Sequence, residues 1–261
     1  MYLTWLDSNS WLIELGTQRI LLDPWLVGSL VFSNSPWLFR GQRDASRPIP
    51  ENIDLILLSQ GLEDHAHPPT LEQLDRSIPV VASPNAAKVV QKLGYQSVTA
   101  IAHGETYTLK DCVRIQAFPG APIGPFLTEN GYLLEALESG LRLYYEPHGY
   151  HSPQVQSSAP IDVAIAPVQN LELPLAGPII QGWDSALQMC QMLQPQVILP
   201  TAAGGEVVYD GLLEALLREK GSAEEFRAVL AQHQLETRLI EPEPGERFEL
   251  NLLPKSRSTT R

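Results

Sequence analysis

Apolar and polar positions alternate over the first 23 residues in three short runs, Leu3 to Leu6, Trp11 to Leu15 and Arg19 to Leu22, which predicts a strand meander with Gly16-Thr17 as its second turn. Ile53 to Leu58, Ile78 to Ala82 and Ile161 to Ala166 are continuous apolar runs of buried-strand type. Ser83 as N-cap and Pro84 at the first helical position open a helix to about Leu93, with Ala86, Val89, Val90 and Leu93 on one face. Strands are also expected over Val113 to Phe118, Tyr132 to Leu137, Leu141 to Glu146, Val197 to Leu199, Thr237 to Ile240 and Arg247 to Leu252. Helical spacing recurs in Trp183, Ala186, Leu187, Cys190 and Leu193, in Val208, Leu212, Leu213, Leu216 and Leu217, and in Phe226, Val229 and Leu230. Pro24 to Pro50 and the Pro/Gly-rich Pro119 to Asn130 show no period and are expected to be loops, and a loop as long as the first is usually functional or mobile. No linker or repeat interrupts the pattern. Residues 1–253 are expected to form one domain, followed by a disordered basic tail at 254–261.

Composition narrows the setting. With 44% hydrophobic residues in 261, the chain can bury a substantial core, and its formal charge of −12 disfavours nucleic-acid binding. No apolar run reaches the ~18 residues of a spanning helix, no secretory signal opens the chain, and Cys112 and Cys190 stand far apart. A cytoplasmic protein without disulfides or a membrane span is expected. Its oligomeric state is not readable from sequence.

Four of the six histidines fall just after predicted strands, as Asp64-His65-Ala66-His67 and as Glu146-Pro147-His148-Gly149-Tyr150-His151. Strand ends are where α/β sheets place ligands, and mixed imidazole and carboxylate donors suit Zn, Mn or Fe. His103 and His233 lack acidic neighbours at ligand spacing and are expected to be structural.

Residues 2–14, then Arg19 to Pro24 (RILLDP), then a buried strand running into QGLEDH at 60–65 resemble metallo-β-lactamase-fold hydrolases, in the branch similar to ascorbate-6-phosphate lactonase. The resemblance extends through the strand pair ending near Glu146, the helix from Trp183 and the closing segment 243–250. It implies an αββα sandwich of two mixed sheets. It also implies a metal motif, HxHxDH, from which this chain departs: Gln60 and Leu62 replace its first two histidines, and the loop expected to carry a third reads Phe118 to Gly124 without a ligand. Thr201 follows Pro200, where a late histidine is expected. Asp64 and His65 persist, and in the region of the bridging Asp, Glu146 is ligand-competent.

Two readings follow. In one, a rearranged site holds one divalent metal through Asp64 and His65, with His67, Glu146, His148 or His151 replacing lost ligands; Asp64 and His65 serve catalysis on a small ester or phosphoester. In the other, no metal is bound, catalysis is lost and the fold binds a ligand or partner. Metal-free acid–base chemistry ranks below both. Asp23, matching the family's Asp-Pro, and Gln60 are expected behind the ligands. Trp25, Trp37, Phe126 and Thr201 are expected around the substrate. The loops at 24–50, 119–130 and 167–182 are rich in large apolar side chains, so a largely hydrophobic ligand with a small polar or anionic head is expected.

Overall fold

Leu55, Ile56, Leu57 and Leu58 are all inaccessible to solvent because the strand they form is covered on both faces, Leu55 and Leu57 packing toward one core and Ile56 and Leu58 toward another. The computed structural model describes residues 1–174, 177–202 and 204–253. The tail expected at 254–261 and Leu175 of the 167–182 loop lie outside them.

In chain order the first strands are β1 (Tyr2–Trp5), β2 (Trp11–Leu15), β3 (Gln18–Leu22), β4 (Leu30–Val31), β5 (Arg40–Gln42), β6 (Leu55–Leu58), β7 (Val80–Ala82), β8 (Val98–Ala100), β9 (Thr106–Leu109) and β10 (Val113–Ile123). There follow β11 (Leu127–Ala136), β12 (Arg142–Tyr145), β13 (Val163–Ile165), β14 (Asn170–Leu173), β15 (Gly177–Ile180), β16 (Val197–Leu199), β17 (Val208–Asp210), β18 (Arg218–Lys220), β19 (Arg238–Leu239) and β20 (Arg247–Glu249). The helices are α1 (Pro68–Gln73), α2 (Pro84–Lys92), α3 (Trp183–Leu193) and α4 (Ala223–Gln232).

Two seven-stranded mixed sheets carry the fold, ordered β20-β1-β2-β3-β6-β7-β8 and β19-β16-β13-β12-β11-β10-β9. Each is antiparallel through its hairpins and parallel through its crossovers. One face of each meets the other sheet: Leu55 and Leu57 of β6, Val163 and Ile165 of β13, and Val197 and Leu199 of β16 share a core. The alternate residues face outward, where Ile56 and Leu58 meet Leu71, Ala86 and Val90 of α1 and α2, and Ala164 and Ile198 meet Ala186, Met189, Cys190 and Phe226 of α3 and α4. The strand period of two thus generates helix, sheet, sheet and helix layers. Among the described residues no helix is long and apolar enough to cross a membrane.

Two expectations are corrected. The segment 119–130 is the tip of the long β10/β11 hairpin, and its prolines are tolerated because the register shifts between Pro119 and Pro122. Residues 208–217 form no α-helix: β17 ends at Asp210, the next residue Gly211 has a φ of 115° that is closed to helical backbone, and only a 3₁₀ turn, Glu214–Leu216, follows before β18. Leu212 and Leu216 of the expected apolar stripe are exposed instead. Two three-stranded sheets, β15-β14-β18 and β17-β5-β4, occupy segments expected to be irregular or helical.

Leu57→Ala, which opens a cavity between the two large sheets, is expected to cost about 2–5 kcal/mol in chemical denaturation, and Leu212→Ala, at an exposed position, within about 0.5 kcal/mol of nothing.

Candidate functional site

The ends of β3, β6 and β12 converge on one buried carboxylate. Asp23, just after β3, has a left-handed φ of 41° and no solvent exposure. It accepts hydrogen bonds from the Ser59 N–H (2.8 Å), the Ser59 hydroxyl (2.5 Å), the His65 Nδ1–H (2.7 Å) and the Tyr145 hydroxyl (2.7 Å). With Nδ1 committed, His65 presents Nε2, which lies 3.1 Å from Asp64 Oδ2 and 3.3 Å from Asn9 Nδ2. Burial opposes a charge on His65, but the carboxylates of Asp64 and Asp23 outweigh it and raise its pKa well above the ordinary value. Burial likewise pushes Asp64 up, and His65 and His148 bring it below the usual carboxyl value. Asp64 Oδ1 is buried and has no hydrogen-bond partner.

His148, after β12, stacks obliquely on His65 with ring centroids 5.2 Å apart. Its Nδ1 is bound by both oxygens of Glu129 (2.9 and 3.0 Å), leaving Nε2 free. Its loop is fixed by close backbone approach: the His148 carbonyl accepts from Gln181 N–H at 2.8 Å, and a Cβ on Gly149 would sit 1.5 Å from the Gln181 carbonyl oxygen.

Glu129, inside β11, is fully buried and also accepts from Gln60 Nε2 and Ala121 N–H, both at 3.1 Å. A Cβ on Gly120 would lie 2.8 Å from Glu129 Cγ, so only glycine leaves room for this carboxylate. Burial raises Glu129, but His148 pulls it below the usual range. Burial and the adjacent Glu129 charge raise Glu146 well above that range. The two carboxyls are thus pushed apart, Glu129 down and Glu146 up, and Glu146 Oε2 accepts from Tyr150 N–H at 2.7 Å.

Two groups of donor atoms lie within 4.8 Å of one another, Asp64 with His65 and His148, and Glu129 with Glu146 and His148. Glu129 escaped the sequence analysis because its segment reads as a loop. The signal available was the run from Tyr132 to Leu134 continued backward by alternation, masked by the turn-like Asn130-Gly131.

The other expected residues stand elsewhere. His67 Nδ1 meets Thr70 Oγ1 at 3.0 Å and Nε2 the Ser29 carbonyl at 3.3 Å. His151 packs on Tyr144, its Nδ1 3.9 Å from Glu146. Gln60 reaches Glu129 rather than His65. Trp25 is buried beneath the Arg43 guanidinium, Trp37 is 69% exposed, and Phe126, at the hairpin tip, is 93% exposed. Thr201 does reach the site, accepting from Trp11 Nε1–H and donating to the Ser8 carbonyl. His103 meets the Glu129 carbonyl at 3.0 Å.

A cavity of about 370 Å³ opens beside Asp64 and His148, with Ser8, Asn9 and Thr201 at the same edge. Its walls are apolar and come from three segments: Leu30, Phe32 and Phe39; Leu171, Leu173, Ile179 and Ile180; and Leu213 and Leu217.

The family model for the beta-lactamase superfamily domain matches residues 2–202. The chain belongs to that superfamily. A UPF0173 metal-dependent hydrolase of Pyrococcus furiosus is 26% identical over 206 residues, 76% of this chain and 82% of that one. Two solved structures share the fold over nearly the whole chain. The isothiocyanate hydrolase from Delia radicum gut bacteria has a TM-score of 0.70 at 16% identity, covering 97% of this chain and 100% of that one. A metallo hydrolase of Ignicoccus hospitalis has a TM-score of 0.67 at 17% identity, covering 96% and 99%. This chain places imidazole and carboxylate on one side of the strand ends and a buried carboxyl pair on the other.

Burial pushes His67 down to about 4 and His151 to about 3. An unfolded histidine takes up its proton near ~6.5, so between that pH and the folded values the unfolded chain binds more protons and stability is lost as the pH is lowered. His151→Leu removes one of these groups. Its urea midpoint is expected to drop less than that of the wild type between pH 7 and pH 5, as equilibrium denaturation at the two values would show.

Proposed function

We propose that this chain is a metal-dependent hydrolase that holds one divalent ion, Zn, Mn or Fe, on Asp64, His65 and His148 and cleaves a small ester or phosphoester with a partly apolar body. One observation carries the reading: each imidazole has its Nδ1 locked by a buried carboxylate, Asp23 for His65 and Glu129 for His148, so both present Nε2 beside Asp64, whose Oδ1 is buried and unpartnered. That is the outer arrangement characteristic of metal-bound histidine. The donor set of two imidazoles and one carboxylate, within 4.8 Å, suits these ions. On the opposite side Leu62 has no donor, and the second donor group, Glu129 with Glu146 and His148, shares His148 with the first and has Glu129 engaged by His148, Gln60 and Ala121, which favours one ion over two. The name of the Pyrococcus relative points the same way.

When bound, the ion supplies Lewis acidity and lowers the pKa of a coordinated water. The chain's own residues do the rest. Asp23 and Glu129 fix the imidazole tautomers, Asn9 and Thr201 border the space before them, and the apolar walls hold the substrate body and exclude bulk water. His67 and His151, occupied elsewhere, serve packing, and Glu146 backs Glu129.

Elemental analysis of untagged protein is expected to find about one equivalent of metal per chain, and Asp64→Ala, His65→Ala and His148→Ala to lose it together with ester turnover. Glu129→Gln is expected to weaken affinity by about 10–100-fold, as removal of an outer partner does. Two equivalents in the wild type, or full retention in His65→Ala, contradicts the single site; failure to take up Zn, Mn or Fe at all favours the non-catalytic ligand-binding reading.

A further inference from the structure

A phosphoester brings negative charge into its site and needs cations or clustered N–H donors to meet it. Among the described residues that line the cavity there is no lysine or arginine; its charged side chains are Asp64, Glu214 and Glu219, and its one basic group, His148, is already paired with Glu129. Of the arginines in neighbouring segments, Arg40 pairs with Asp210, Arg43 and Arg47 share Asp7, and Arg218, between Leu217 and Glu219, is exposed and is not among the lining residues. Behind the wall lie Asp23 and Glu129, both fully buried. The ion's charge has to be counted too. The carboxylates of Asp23, Asp64 and Glu129 stand around the donor set and meet the two positive charges of a divalent ion, so little of that charge is left to draw in an anion. The remaining surface is uncharged: Phe32, Phe39, Leu171, Ile180, Leu213 and Leu217 are apolar, and Asn9, Gln169, Asn170 and Thr201 are neutral polar groups with no formal charge to offer a phosphate.

We propose that the substrate is an uncharged carboxylic ester, linear or lactone, with an alkyl or aryl body, and that phosphoesters are rejected by charge; this rests on the hydrolase reading above. In the reaction the acyl carbon–oxygen bond breaks and water oxygen bonds to the carbonyl carbon. One water proton goes to the leaving alkoxide oxygen and the other to solvent, giving an alcohol and a carboxylate. The substrate is neutral and its acid product is not, so the acidic surroundings that accept the ester expel the product. A phosphoester would meet that repulsion on entry.

The test separates binding from turnover. Calorimetric titration of the full-length protein, metal-loaded and metal-stripped, compares neutral N-phenylhexanamide with anionic phenylphosphonate, neither of which is an ester. The amide is expected to bind at least about tenfold tighter in both forms, given that like charges brought together in a desolvated site cost several kcal/mol. Leu213→Arg, which adds a cation to a partly exposed wall position, is expected to narrow or invert the ratio. Turnover is compared with 4-nitrophenyl hexanoate and 4-nitrophenyl phosphate, and only the former should be cleaved. Phenylphosphonate binding as tightly as the amide, binding of neither, or preferential cleavage of the phosphate overturns the proposal. A tenfold preference for the amide without cleavage of 4-nitrophenyl hexanoate supports the charge selection and overturns the hydrolase reading instead.

Discussion

The carboxylate of Asp23 is the joint on which the site depends. A buried charge costs several kcal/mol unless it is fully hydrogen bonded, and Asp23 meets that demand with four donors from both sheets: the Ser59 backbone and hydroxyl at the end of β6, Tyr145 at the end of β12, and His65. Meeting it forces three strand ends into one register and accepts a left-handed backbone at Asp23 itself. The tautomer of His65 follows, because a carboxylate can only accept and Nδ1 must therefore donate. The direction of Nε2 is a consequence of how the sheets are joined.

Around that joint the two halves of the site have diverged. On one half Asp64, His65 and His148 remain mutually accessible. On the other, Gln60 and Leu62 offer an amide and an aliphatic side chain, and Glu129 from the β10/β11 hairpin fills the space, held by Gln60, Ala121 and His148. The replacement is coherent chemistry. A carboxylate there gives His148 the same kind of Nδ1 partner that Asp23 gives His65, while Gln60, which donates through its amide, can hold that carboxylate where an aliphatic residue could not. The cost is like-charge crowding with Glu146, which together with burial raises the Glu146 pKa well above the usual carboxyl range.

How much of this was legible follows from what each signal encodes. Strands β6, β13 and β16 and helices α2 and α3 are visible because burial on fixed faces writes itself into the period of apolar residues. Asp64, His65 and His148 stand out as chemistry at strand ends. The hairpin tip was hidden because Pro119, Pro122 and Asn130-Gly131 carry turn chemistry, yet a register shift lets a strand absorb them; Glu129 was hidden with it. Apolar richness in the loops pointed to a hydrophobic cavity but not to its lining, since composition has no direction. Trp25 and Trp37 come from the same segment as Phe32 and Phe39, and one lies in the core while the other faces solvent. His67, two residues from His65, is turned onto Thr70 and Ser29, as local spacing alone could not decide.

The small sheets explain how an apolar cavity can persist. Loops that expose leucine and phenylalanine toward one another would ordinarily collapse and bury them. Here β4, β5 and β17 pair with each other, as do β14, β15 and β18, so the backbone of each wall is tied by its own ladder. The bidentate Arg40–Asp210 pair crosses the first of them. Stiff walls cannot close by rotating side chains inward, and they require little ordering when a ligand enters, so less of the interaction free energy is lost on binding. The segment expected to be a helix, 208–217, shows the same constraint: as a helix it would turn half its leucines away, whereas a short strand, a tight turn and a second strand carry Leu213 and Leu217 to the cavity and let each wall be closed by a strand of its own. The irregularity there follows from facing a pocket rather than a core.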